Sequence, residues 1–355
     1  MIARWWERRR GCGEKSAGTS APTSVGVSVG GTVLVLGVLS VLLCLVSLAI
    51  GSHSLTLEEV AGAFVPGRTT VASVIVWQLR MPRTVLAVMV GASLAVAGVV
   101  MQGLTRNPLA EPGILGINAG ASLSVVLSMS LLGLTDVSDF LWFAFAGAAL
   151  AAFLVHLMSV RSADAGPARL VLAGVALGAS LRSITGTITM YDSVTFDSYR
   201  FWVLGSLADR DAVLLVWVAP FLVVGLVLAL ASGLTLNALA LGEEQAKALG
   251  VSPRRARALA LTSITLLCGA STAAVGPISF VGLVVPQVLR LALGADQRRL
   301  LAVSLVAGPV LLLAADVVGR VILDSGEMEA GVVTAFIGGP VLLLMVIQRM
   351  GVKGR

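Results

Sequence analysis

Charge is the scarcest commodity in this sequence. Only 12% of the residues are Asp, Glu, Lys or Arg, while 57% are hydrophobic; ordinary soluble domains carry about a quarter of their residues charged. The mean hydropathy is +0.96. A chain so poor in charge cannot dress a large water-facing surface, which leaves no room for a sizeable soluble catalytic domain and makes membrane integration the expected state. Lysine is nearly absent, with Lys15, Lys247 and Lys353 the whole complement. None follows a glycine-rich loop in the GxxxxGK[ST] arrangement, so the chain carries no nucleotide-binding P-loop of its own. The two histidines, His53 and His156, and the three cysteines, Cys12, Cys44 and Cys268, are scattered without metal-ligand spacing. Zinc sites, disulfide frameworks and paired-histidine haem ligation are thereby excluded, and no metal or cofactor is expected on this chain.

What the sequence does have is a succession of apolar runs, each about the length needed to cross a bilayer as a helix. Residues 1–27 are basic and then rich in Gly, Ser and Thr, and read as a cytoplasmic tail. Residues 28–355 read as a single transmembrane domain. Its first span, 31–50, is uncharged, and the long basic region before it, with no A-x-A-like cleavage site after it, argues against a signal peptide. Pro82 is expected in the first turn of a second span, whose Gly91, Ala95 and Gly98 form a small-residue face for close helix packing. Asn107-Pro108 and Pro112-Gly113 break the chain before a third. Further spans are expected near 141–160, 170–190, 212–231, 259–275, 278–293, 300–323 and 331–347, about ten in all, in an all-α membrane protein. The net charge of +6 does not point to nucleic acid, because the arginines fall in short clusters between spans. That is the positive-inside pattern, and it puts both termini in the cytoplasm.

One polar insert interrupts the second half of the chain. Residues 234–257 hold two short helical runs punctuated by Gly242 and Gly250, each placed where a helix end wants a positive φ. Ser252-Pro253 then supplies an N-cap and a first-turn proline, and Arg254, Arg255 and Arg257 mark the face as cytoplasmic. The shape suits a surface that receives a push from another protein, and it also suits an amphipathic loop resting on headgroups. Acids crowd into loops and span ends, as with Glu111, Asp164, Glu243, Glu244, Asp296, Glu327 and Glu329. Asp316 is the deepest, with Arg320 one turn later as a partner. Ion-driven carriers keep ionisable coupling sites within their spans. With no unpaired membrane acid and no P-loop, the energy for any pumping is expected from a partner; a passive channel stays open on this ground alone.

Five ordered motifs carry a resemblance: QLRMPRT…GLTRNPLAEPGILGINAG over 78–120, LVLAGVALG over 170–178, NALALGEEQAKALGV, GPISFVGLVVPQVLR over 276–290, and GVVTAFIGGP over 331–340. From about residue 71 to the C-terminus the chain resembles the FecCD family, permease subunits of bacterial ABC importers for iron–siderophore complexes, haem and cobalamin. The resemblance implies a type II importer permease fold in the bacterial inner membrane. It also implies a second permease subunit (a second copy or a paralogue), two ATP-binding cassettes that use ATP and Mg, and an extracytoplasmic substrate-binding protein. Iron–siderophore cargo leads, with cobalamin or haem as the alternative; an ion-coupled secondary carrier is the alternative from another class. On this footing the insert is the cassette-coupling loop, with Ala240, Leu241, Gly242, Glu243, Glu244, Ala246, Leu249, Gly250 and Val251 as its contacting core. Arg80, Arg83 and Arg320 match the family's docking arginines. Outward arginines also run against the positive-inside trend, and a guanidinium suits a partner's carboxylate, although simple snorkelling would place them similarly.

Arg182 lies well inside the fifth span, where a lone charge costs on the order of 3 kcal/mol. The family's translocation path borders this span. Arg182 is therefore expected either to face the pore and favour an anionic cargo, or to snorkel outward or pair with a neighbouring helix. Two positions depart from the family pattern. Gln287 stands where His is common, and Glu329 stands where Pro is common, adding an acid near Arg320.

Overall fold

The computed structural model describes residues 28–51, 55–65, 70–134, 136–160, 167–323 and 326–353; the basic tail expected over 1–27 lies outside them. Fourteen helices follow in order. They are α1 (Val29–Ala49), α2 (Leu57–Ala63), α3 (Val71–Thr105), α4 (Ile117–Leu132), α5 (Val137–Val160), α6 (Pro167–Tyr191) and α7 (Ser193–Val203), then α8 (Ala212–Ala231), α9 (Gly233–Ala240), α10 (Glu243–Ala248), α11 (Pro253–Val275), α12 (Val281–Leu293), α13 (Gln297–Val321) and α14 (Ala330–Lys353). Seven of them are long and apolar enough to cross a membrane. Three more apolar helices, α4, α12 and α14, are shorter or have a shorter apolar run, and they fall where three of the ten spans were expected.

The bundle is organised around α3, whose apolar length is buried on nearly all sides by α13, α11, α12 and α8. Small residues allow this. A Cβ added to Gly98 would stand 1.8 Å from the carbonyl oxygen of Gly282 on α12, and one on Gly91 would stand 2.8 Å from that of Gly308 on α13. Helix backbones can touch in this way only where side chains are missing, which is how membrane helices gain packing contacts without a hydrophobic drive between them.

Two span boundaries differ from expectation. α3 begins at Val71, eleven residues before Pro82, and passes through a π-helical turn at Ile75–Arg80 before its α-helical run resumes at Met81. Pro82 therefore does open a helical run, but inside a longer helix. The wider turn absorbs the register change at a point where the proline has no N–H to give. The eighth span starts at Val281, because Phe280 adopts a left-handed backbone (φ 70°) and its N–H donates to Glu111 Oε1 at 2.7 Å. At 13 residues α12 is only about 20 Å long, too short to cross the hydrocarbon alone.

Chain direction fixes two ends of the bundle. Ser40 Oγ donates to Val306 O, and Arg320 reaches Ser47 and Ile50, so α1 runs parallel to α13. α14 departs from the end where Gly331 N donates to Gly205 O, and Phe280 packs on its Gly338. The start of α1 and the far end of α14 thus lie at the same end as α9 and α10.

Candidate functional site

Three surfaces hold the residues singled out by sequence. The first is the elbow formed by α9 and α10. Gly242 (φ 121°) and Gly250 (φ 79°) take the positive φ expected of them, so the chain doubles back twice within 20 residues. Ser252 occupies the N-cap of α11 and Pro253 its first position. The elbow has its own small core of Ala238, Leu239, Ala246 and Ala256, with Val251 packed against it. Glu243 pairs with Arg257 across the hairpin. Asn237 fastens it to the bundle, donating to Asp296 Oδ1 (2.8 Å) and accepting from Gln297 N (2.9 Å) at the start of α13. Asn237's amide is the main reason that the Asp296 carboxyl sits below the usual carboxylate range. Leu236 is buried in the main core beside α3. Outward, Leu241 and Leu249 are 65% and 63% exposed, one on each side of α10, with Ala240, Glu244 and Gly250 also exposed. Ala246, by contrast, faces inward and is fully buried.

The second surface is at the opposite end. Asp316 is fully buried and takes two guanidinium groups at once. Arg83 contacts it through Nε (3.0 Å) and Nη2 (2.8 Å) to Oδ1, and Arg320 pairs with Oδ2. Arg83 Nη1 is also paired with Glu327 Oε2 at 2.6 Å. Arg320 donates to the carbonyls of Ser47 (2.7 Å) and Ile50 (3.0 Å), and Arg80 donates to that of Leu48 (2.7 Å). These are the last carbonyls of α1, which lack helical partners and carry the negative end of its dipole. The three arginines expected to face a partner are therefore turned inward, with Arg80 and Arg320 buried and Arg83 13% exposed along its side chain. All three still line a cavity of about 420 Å³. A second cavity of about 430 Å³, floored by Met129, Phe140 and Trp202, shares Arg83, Arg210 and Glu327 with the first. Glu329 lines this second cavity; the acid beside the arginines is Glu327. The role of Glu327 was not legible in sequence, because nothing in GEMEAG ranks one acid over the other.

The third surface is the open face of α6, the least apolar of the seven long spans. Arg182 is exposed on this helix, as are Ser180, Ser183 and Thr187 farther around it. Its guanidinium lies back along the helix, 3.4 Å from where a Cβ on Gly178 would be, and no carboxylate among the described residues pairs with it. Pairing with a carboxylate among the described residues is thus not how this charge is accommodated. Gln287 Oε1 is buried with no hydrogen-bond partner among the described residues. No group of three or more His, Cys, Asp or Glu gathers as a metal site among the described residues.

The sequence profile of the FecCD transport family matches residues 22–348. The ferric enterobactin transport system permease protein of Escherichia coli K12 is 44% identical over 305 residues, 85% of this chain and 91% of that protein. A vitamin B12 import system permease protein of Yersinia pseudotuberculosis is 43% identical over 285 residues (78% and 83%). An Fe(3+)-citrate import system permease protein of Bacillus subtilis is 40% identical over 279 residues (79% and 83%). Among solved structures, a metal-chelate type ABC transporter in an inward-facing conformation superposes with a TM-score of 0.78 at 29% identity, covering 89% of this chain and 98% of that one.

Proposed function

The chain belongs to the FecCD transport family, and from that premise we propose that it is the permease subunit of an ATP-driven importer carrying ferric–siderophore complexes across the bacterial inner membrane. The elbow is the observation that carries this reading. Two leucines stand in the open on either side of α10 on a small polar hairpin, a surface that a partner protein would cover. Asn237 and Leu236 tie the same hairpin to α13 and α3, so force applied at Leu241 and Leu249 reaches the helices at the centre of the bundle. ATP-binding cassettes seated on Ala240, Leu241, Glu244, Leu249 and Gly250 would supply that force, with Ala246, Glu243 and Val251 holding the hairpin rigid beneath them. The chain hydrolyses nothing itself; ATP and Mg belong to the cassettes. Arg254, Arg255, Arg257, Arg298 and Arg299 cluster at the elbow end, which by the positive-inside trend puts that end and both chain termini in the cytoplasm.

At the outer end, the cavity lined by Arg80, Arg83 and Arg320 receives acidic side chains of a substrate-binding protein. A second permease subunit, identical or paralogous, closes the open face of α6, so that Arg182 lines the path between them and favours anionic cargo. Cobalamin is the second reading, supported by the similarity to the vitamin B12 permease. The test is accumulation in proteoliposomes. Vesicles holding this permease, its partner permease and the cassettes should concentrate a ferric siderophore only when ATP is present on the cassette side. Accumulation against a gradient without any cassette would defeat the proposal, and accumulation of cobalamin in place of the iron complex would select the second reading.

A further inference from the structure

The ion pair between Arg83 and Glu327 differs from the others in its cluster. Asp316 is fully buried and held by two guanidinium groups, so it is a fixed part of the packing. Glu327 is 30% exposed, holds Arg83 through the single Nη1 contact, and lines both outer cavities. The pair stands where the two cavities meet. The backbone beside Glu327 is anchored independently, because Met328 N donates to Gly319 O at 2.9 Å and the missing Cβ of Gly319 lets the two segments touch. Glu327 can therefore let go of Arg83 by a side-chain rotation alone. Arg80, Arg83 and Arg320 outnumber Asp316 and Glu327 by one charge, and losing Glu327 raises the surplus to two.

We infer that Glu327 is a built-in competitor for the docking protein: its carboxylate occupies on Arg83 the place that a partner's carboxylate takes, and docking proceeds by exchange of one acid for the other. This rests on the docking reading above and adds to it that the free permease already offsets part of its arginine charge with an acid of its own. The energetic consequence is that docking stays weak and reversible, since the partner gains one ion pair while the chain loses one. A partner with an acidic surface fits; one with a basic or purely apolar surface gains nothing from the exchange.

The test uses the assembled transporter in lipid nanodiscs, titrated with its cargo-loaded binding protein by fluorescence anisotropy. Glu327→Gln should tighten binding by about three- to fivefold, the size of a part-exposed ion pair, and should steepen its salt dependence. Arg83→Gln should weaken binding, and in that background Glu327→Gln should have no further effect. Glu327→Asp, which keeps the charge but falls short of Nη1, should also tighten binding and covers the case in which the glutamine variant fails to assemble. If the Glu327 variants weaken docking or leave it unchanged while Arg83→Gln weakens it, the competitor inference is wrong and the docking reading stands. If Arg83→Gln leaves docking unchanged, both fall.

Discussion

Asp316 sits between Arg83 and Arg320, accepting from both while shielded completely from solvent. One carboxylate thereby joins α3 just past its π-helical turn, the end of α13 and, through Arg320 and Ser47, the end of α1. Replacing it by alanine leaves Arg320 with only the Ser47 and Ile50 oxygens and Arg83 with Glu327 as its remaining acid, and breaking a buried pair on one side costs about 3–5 kcal/mol. Asp316→Ala should therefore lower the thermal unfolding midpoint of the purified permease sharply, whereas Glu327→Gln, at the exposed edge of the same network, should move it little. Equal shifts for the two would show that burial does not rank these carboxylates.

The contact of Gly98 with Gly282 sets a limit of another kind. The obstacle is carbonyl backbone, with no flexible side chain to give way, and the gap of 1.8 Å is far inside van der Waals contact. Gly98→Ala should abolish stable expression or cost more than about 3 kcal/mol, as overpacking against backbone does. Gly37→Ala on α1, where nothing lies within 4 Å, should leave expression and unfolding unchanged. Size-exclusion profiles and thermal melts of the two variants decide it.

Exposure on the elbow separates coupling from folding. Leu241→Asp and Leu249→Asp remove apolar side chains that touch little within this chain, so stability should shift by less than about 0.5 kcal/mol. ATP-driven uptake should nevertheless fall at least about tenfold if each leucine contributes an interface anchor worth roughly 1.4 kcal/mol or more. Ala246→Asp should do the reverse, unfolding the hairpin by burying an unpaired charge in its small core. Normal uptake by both leucine variants would place the power stroke elsewhere.

How much of this was legible in the sequence follows from which forces act locally. The seven long spans, the small-residue face on α3 and the two turns at Gly242 and Gly250 all depend on composition or on a residue's own backbone preference, and each is found where the pattern put it. The Asp316–Arg320 pair is one helical turn apart and equally readable. Arg83 reaches Asp316 from 233 residues away, and Glu111 caps the strained turn at Phe280 from 169 away. No periodicity encodes such meetings. The arginines expected to dock a partner stand in a legible motif, but their inward turn depends on α1 ending with its carbonyls beside them, which only the packed bundle shows.

Arg182 offers the sharpest test of cargo class. A guanidinium on a membrane span with no partner among the described residues is costly unless it meets water or a counter-charge. Ser180, Ser183 and Thr187 are exposed on the same helix, more than a quarter-turn around from Arg182, so polar groups spread over much of the exposed arc of this span. If two subunits bring such faces together, a triply charged ferric tris-catecholate passes a positive constriction, while an uncharged ferric tris-hydroxamate gains nothing from it. Arg182→Gln should then slow uptake of the charged complex by about tenfold, one ion pair's worth at reduced dielectric, and spare any neutral complex the transporter accepts. Arg182→Lys should retain most of the rate, since charge matters here more than fork geometry. Unfolding midpoints should be unaffected in all three proteins, because the side chain pairs with no carboxylate among the described residues. Undiminished uptake of the tris-catecholate by Arg182→Gln would return this arginine to the lipid headgroups.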